Sequence, residues 1–208
     1  MSSVNSYKKL AGSHPKTKNY KIAGLILAAG TSSRFGGKNK LLSRVNEVAM
    51  IRGVVHLALQ ASFTSTILVT GHQQKLIEKE LKNQPIQMVH NKNYTLGMGT
   101  SIACGVSALP QDIDGVIIML GDMPSLRLNT IISICTKFNS GSLSDICVPT
   151  INKKVGNPVL FGKTHFPRLK LLDGDYGGKE IICAYPSQVK YIETDDKGIL
   201  IDYDEPLS

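Results

Sequence analysis

Two cations and an aspartate carry the chemistry that the spacing in this chain allows. Arg34 and Lys40 belong to a stretch, residues 22–40, that reads IAGLILAAGTSSRFGGKNK. It begins as a near-continuous apolar run and breaks at Gly30 into small residues, the pattern of a buried parallel strand feeding a tight loop. Loops at the carboxyl ends of such strands are where α/β sheets bind ligands. Small residues let the backbone approach, and exposed N–H groups can face phosphate oxygens. With Arg34 and Lys40 beside that backbone, the chemistry expected is binding of a nucleoside triphosphate. The third group, Asp122, lies in Gly121-Asp122-Met123-Pro124, directly after a second apolar run, residues 115–120. An aspartate there can hold a metal or serve as a turn residue before Pro124. In one sheet with the Arg34/Lys40 loop the metal role is favoured, since a triphosphate needs both cationic side chains and Mg²⁺.

The common phosphate loops are excluded. A P-loop has four residues between its glycines and then Lys-Ser or Lys-Thr. Here five residues separate Gly30 from Gly36, and no Lys-Ser or Lys-Thr follows. The second glycine cluster, Gly97-Met98-Gly99, has Ile102 where a dinucleotide fingerprint needs its third glycine.

The elements that must position these groups alternate along the chain. Residues 48–61 are apolar on nearly every face and predict a buried helix, and residues 65–70 (STILVT) predict a strand. Residues 73–82 show helical spacing, Pro85 breaks them, and residues 86–89 form a short strand. Alternating strands and helices indicate a parallel sheet with right-handed crossovers. Residues 93–101 (NYTLGMGTS) lead into a helix with Met98, Ile102, Val106 and Leu109 on one face, and Thr100 or Ser101 is a candidate cap. A glycine loop at a helix N-terminus favours anions, and is equally a plain strand-to-helix turn. A strand over 115–120, a helix over 126–138 and a strand over 145–151 come next. The polar turn from Asn152 to Lys154 and the segment 156–161 indicate an antiparallel pair, so the sheet is mixed. Residues 173–179 form a loop into the last main helix, and residues 189–193 and 198–202 are expected to be terminal strands.

Composition narrows the class. A chain of 208 residues suits one domain with a real core. No apolar run approaches the ~20 residues of a membrane span, and the first residues do not look like a secretory signal. Cys104, Cys135, Cys147 and Cys183 include no C-x-x-C pair, which points to reduced thiols in a cytoplasmic protein rather than a disulfide framework or zinc site. The net charge of +8 is concentrated at the start: residues 1–21 hold five lysines and no acid, leaving 19 basic against 16 acidic groups. Residues 1–20 are expected to be a disordered basic tail, with the functional domain over 21–208. No aromatic-basic interleaving follows the tail, which argues against a nucleic-acid arm.

Several motifs together resemble one family. Residues 27–36 (LAAGTSSRFG), followed by Lys40-Leu41-Leu42, resemble the signature of nucleotidyltransferases, and within them the molybdenum cofactor cytidylyltransferases. Similar to that family, in order, are Gly97-Met98-Gly99-Thr100-Ser101, Gly121 to Pro124, the GNPVLF segment at 156–161, the Gly-Asp-x-Gly turn at 174–177 and the Asp-x-Asp-x-Pro end at 202–206. The loop after Arg34 is longer than the family's and lacks its proline; Lys40 takes the family lysine's place, with Lys38 as a rival.

The resemblance implies a single Rossmann-like α/β domain, a three-layer sandwich with a mostly parallel sheet and antiparallel additions. It also implies a reaction: CMP is transferred from CTP to the terminal phosphate of a molybdopterin-type cofactor, with release of pyrophosphate. Leu-Ala-Ala-Gly, rather than the Leu-Ala-Gly-Gly of the guanylyl relatives, leans toward cytosine. The residues implied for catalysis are Arg34, Lys40 and Asp122. Nucleotide contacts are implied for Leu27, Ala28, Ala29, Gly30, Gly97, Met98, Gly99 and Ser101. Asn157 and Asp175 fall to the pterin side, and Mg²⁺ or Mn²⁺ to Asp122 with Asp204 or Asp202. A molybdoenzyme or its chaperone is the implied client. The rival expectations are a guanylyltransferase, a sugar- or polyol-phosphate nucleotidyltransferase, and a non-catalytic molybdopterin carrier or insertion chaperone.

Overall fold

The computed structural model describes residues 18–32 and 39–202. β1 (Ile22–Ala28) is buried at every position and lies at the centre of the sheet. It pairs in parallel with β4 (Ser65–Thr70) on one side and β6 (Gly115–Leu120) on the other. β5 (Gln87–His90) extends the parallel half beyond β4. Beyond β6 the chain inserts β9 (Val159–Gly162), antiparallel both to β6 and to β7 (Ile146–Ile151). β10 (Val189–Glu193) closes the far edge parallel to β7, giving the order β10-β7-β9-β6-β1-β4-β5. β8 (Lys154–Val155) is a short antiparallel addition to β7. The mixed, mostly parallel sheet expected from the sequence is what forms.

Helices cover both faces because the buried strands are apolar on both. α1 (Met50–Gln60), α2 (Gln74–Glu80) and α4 (Leu128–Asn139) pack Ile51, Val55, Ile77, Ile131 and Phe138 on Ile26, Leu68 and Ile117. On the opposite face α3 (Met98–Ser107), α5 (Phe166–Leu169) and α6 (Lys179–Ala184) bring Ile102, Val106, Leu169 and Ile181 to Leu25, Val69 and Ile118. The described residues form one set of three layers, helices on either side of a single main sheet. Burial pushes the thiols of Cys135 and Cys147 up to about 12, and all four cysteines are free. Among the described residues no helix is long and apolar enough to cross a membrane.

Three local expectations change. Residues 48–49 are not helical: β3 (Val48–Ala49) pairs with β2 (Arg44–Val45) in a separate hairpin, and α1 starts at Met50. The turn residues Asn46 and Glu47 have φ of 50° and 66°, the paired positive values of a tight hairpin turn. Asn152 and Lys153 repeat that geometry between β7 and β8. Second, residues 198–202 form no strand; Lys197–Leu200 is a 3-10 turn because the Asp196 side chain accepts from Gly198 N. Third, neither Thr100 nor Ser101 caps α3; Thr100 Oγ1 instead donates toward Gly97 O and Asn93 O. Residues 1–17 of the expected tail lie outside the described residues. Lys18 and Tyr20 dock on the domain, both donating their backbone N–H to Asn139, with the Tyr20 ring 5.1 Å from Phe138.

Candidate active site

The parallel strands end along one edge, and their loops are tied together by backbone hydrogen bonds. Gly121 N donates to Leu27 O at 2.9 Å, and His72 N donates to Ala29 O at 3.3 Å. The loops after β1, β4 and β6 are therefore held in register where an α/β sheet opens toward ligand. The loops after β1 and β6 border a cleft of about 480 Å³.

Two short segments aim the charged groups into it. Asn39 is buried; its Oδ1 accepts from Leu41 N at 3.1 Å and its Nδ2 donates to His72 O at 3.4 Å. Lys40 N donates to Ser32 Oγ at 3.1 Å, which ties this turn to the end of the segment that follows β1. From this pinned turn the Lys40 side chain reaches Asp122, Nζ to Oδ2 at 2.7 Å, with 17% and 19% of the two side chains exposed. A cation and a carboxylate thus meet on the cleft wall beside the Gly30 backbone.

Gly97 and Asp175 also line the cleft, from two glycine-containing loops that meet at Gly97 and Gly174, 77 positions apart. Gly99 N donates to Gly174 O at 2.8 Å. Gly97 has φ of +114°, and a Cβ there would stand 2.3 Å from the Gly174 carbonyl and 2.7 Å from Asp175 Oδ1. Only glycine fits, on backbone angle and on space alike. Gly97→Ala is expected to cost about 3 kcal/mol of stability, from left-handed strain plus overpacking; urea denaturation measures it. Behind these loops Asn91 is buried. Its Nδ2 donates to Thr100 Oγ1 at 2.9 Å and Ser101 Oγ at 3.0 Å, while Oδ1 accepts from Asn93 N. Asn91 shapes the loop before α3, and no local motif marks it.

Of the residues expected around the nucleotide, Leu27, Ala29, Gly30, Lys40, Gly97, Met98, Ser101 and Asp122 line this cleft, and Asp175 does so from the acceptor set. Ala28 is buried within β1 and Gly99 lies beneath the loop against Asp173. Asn157 lines a smaller adjoining cleft of about 170 Å³, which shares Leu120 and Asp202 with the first. Asp202 borders both. Arg34, Lys38 and Asp204 lie outside the described residues. Tyr94, Thr95, Thr31 and Ser32 also line the cleft and were not singled out by sequence. Tyr94 offers a half-buried aromatic face, a surface on which a base stacks well. His72 supports the cleft from behind, through its backbone bonds to Ala29 and Asn39 and with its ring 6.3 Å from that of Tyr94.

The donor set suits a hard divalent cation. Asp122, Asp175 and Asp202 present carboxylates to the cleft, whereas the described cysteines and histidines do not line it. No group of three such ligands converges among the described residues. A hard divalent cation that keeps part of its shell from phosphate and water is commonly held by only one or two carboxylates.

A family model described as the MobA-like NTP transferase domain matches residues 24–189. The molybdenum cofactor cytidylyltransferase of Escherichia coli (strain K12) is 30% identical over 140 residues, 67% of this chain and 69% of that protein. Nicotine blue oxidoreductase of Paenarthrobacter nicotinovorans is 21% identical over 88% of this chain and 92% of that protein. The chain also matches bifunctional GlmU proteins but spans about a third or less of their length, 31% for that of Mycolicibacterium smegmatis. Among solved structures, Rv0371c from Mycobacterium tuberculosis H37Rv superposes with a TM-score of 0.75 at 24% identity, over 84% of this chain and 88% of that one. The same protein has been solved in complex with manganese.

Proposed function

Because the chain belongs to the MobA-like NTP transferase family, we propose that this nucleotidyltransferase moves CMP from CTP to the terminal phosphate of a molybdopterin-type cofactor. The observation that carries the proposal is the meeting of Lys40 and Asp122 at 2.7 Å on a cleft wall built from strand ends. A triphosphate with its divalent cation needs one group of each charge at that place. The similarity to a molybdenum cofactor cytidylyltransferase supports the acceptor. Ala29, at the lining position where guanylyl relatives have glycine, supports cytosine.

In the reaction an oxygen of the acceptor phosphate attacks the α-phosphorus. A new P–O bond forms, the α–β bridging bond breaks, and the electron pair leaves with pyrophosphate. The attacking phosphate is already ionised, so no general base is needed. The chain must position the two phosphates and neutralise charge. Arg34 and Lys40 hold the β- and γ-phosphates and stabilise the leaving pyrophosphate. Asp122, with Asp204 or Asp202, holds Mg²⁺ or Mn²⁺, which when bound supplies Lewis-acid stabilisation of the phosphate oxygens. Asn157 and Asp175 face the pterin side. The product passes to a molybdoenzyme or its insertion chaperone in the cytoplasm.

Mass spectrometry of the product tests the acceptor. With CTP, Mg²⁺ and molybdopterin in competition with sugar and polyol phosphates, the cofactor is expected to gain one CMP. CMP appearing on a sugar or polyol phosphate instead would overturn the assignment.

A further inference from the structure

Asp196 lies outside the cleft, with only 1% of its surface exposed. A buried carboxylate persists only where donors meet its charge. Oδ2 accepts from Arg127 N at 2.8 Å and from Thr130 Oγ1 at 2.7 Å, and Oδ1 accepts from Gly198 N at 2.9 Å. The Arg127 guanidinium stands 3.9 Å from Oδ1. Arg127 immediately precedes α4 and makes no side-chain cap of its own. Asp196 thus caps α4 from a distant part of the chain, where the helix dipole favours an anion.

The turn that Asp196 holds touches the segments that carry Asp122 and Asn157. A Cβ on Gly198 would stand 2.4 Å from Ser125 O, so the turn rests directly on the segment that carries Asp122. One residue on, Ile199 O accepts from Asn157 N at 2.9 Å. The chain then runs to Asp202, which borders both clefts. Three cleft-lining residues from three parts of the sequence are therefore referred to one buried carboxylate.

We infer that Asp196 is a positioning residue: it fixes Asp122 relative to the wall formed by Asn157 and Asp202, and so sets where acceptor phosphate and divalent cation meet the nucleotide. The inference rests on the nucleotidyl-transfer reading of the cleft. Asp196→Asn keeps size and shape but must turn an amide N–H toward Gly198 N or toward the Arg127 and Thr130 donors. Small misplacements of reacting groups cost about a hundredfold in rate, and lost supporting bonds about ten- to a hundredfold in metal affinity.

The test measures kcat and KM for CTP with molybdopterin, together with Mn²⁺ affinity by electron paramagnetic resonance in the presence of α,β-methylene-CTP. For Asp196→Asn, kcat and Mn²⁺ affinity are expected to fall about tenfold or more while KM for CTP stays within about twofold. Thr130→Val removes one of the three donors and is expected to move both readouts in the same direction by less; it carries the test if Asp196→Asn does not fold. Ile134→Val loosens the α4 core without touching the carboxylate and serves as the stability control. Values for Asp196→Asn and Thr130→Val equal to those of Ile134→Val would overturn the inference. A wild-type chain that transfers no CMP would sink the reading of the cleft, and the Mn²⁺ affinities would then decide the role of Asp196 by themselves.

Discussion

Asp122→Asn is expected to lower the rate of nucleotidyl transfer by about 10²–10³-fold while the protein stays folded. The carboxylate stands against the Lys40 ammonium, at 2.7 Å on the cleft wall. Neutralising it removes the charge that would hold the divalent cation against the phosphate oxygens, and that charge acts in the transition state more than in the ground state. The amide keeps the shape and an acceptor toward Lys40. The expected loss of stability is about 1 kcal/mol, a fall in Tm of about 2–4 °C for a chain of this size. Steady-state rates beside a thermal melt separate the two effects. A large loss of rate with a large loss of fold would instead make Asp122 a structural residue of the turn before Pro124.

Lys40→Gln is expected to act in opposite directions on the two ligands. Lys40 Nζ stands 2.7 Å from the carboxylate proposed to hold the divalent cation, so cation and lysine would compete for Asp122. The phosphates of CTP draw Lys40 toward themselves and release that carboxylate. Nucleotide and metal should therefore strengthen each other's binding, by a coupling of about 1–3 kcal/mol. Removing the ammonium is expected to weaken CTP binding about ten- to a hundredfold and to tighten Mn²⁺ binding to the nucleotide-free chain about fivefold or more. Isothermal titration of each ligand alone measures both. Mn²⁺ affinity in Lys40→Gln at or below the wild-type value would show that the pair does not compete with the metal.

The strands were legible because β1, β4 and β6 are buried on both faces, so their apolar runs end sharply at glycine or polar loops. The terminal turn was not. Ile199, Leu200 and Ile201 look like strand residues locally, but the carboxylate of Asp196, committed to Arg127 and Thr130, also draws in Gly198 N. The start of α1 failed for a similar reason: Val48 and Ala49 continue the apolar pattern of the helix, while the turn at Asn46 and Glu47 folds them back on Arg44 and Val45.

At the site, the motif residues that line the cleft were visible because each sits at a strand end or helix start. That Gly97 and Gly174 would meet was not, since neither loop carries a pattern naming its partner. Asn91 left no signal at all: its Nδ2 donates to residues nine and ten positions on, across a turn whose shape these bonds help set.

The most direct measurement is pyrophosphate release with CTP, GTP and ATP in turn, with Mg²⁺ and with or without molybdopterin, from the wild-type chain and from Asp122→Asn. The predicted result is release with CTP that requires the acceptor and is lost in Asp122→Asn. Release with GTP alone would keep the chemistry and overturn the choice of base. No acceptor-dependent release with any nucleotide, or release undiminished in Asp122→Asn, would contradict nucleotidyl transfer in this cleft.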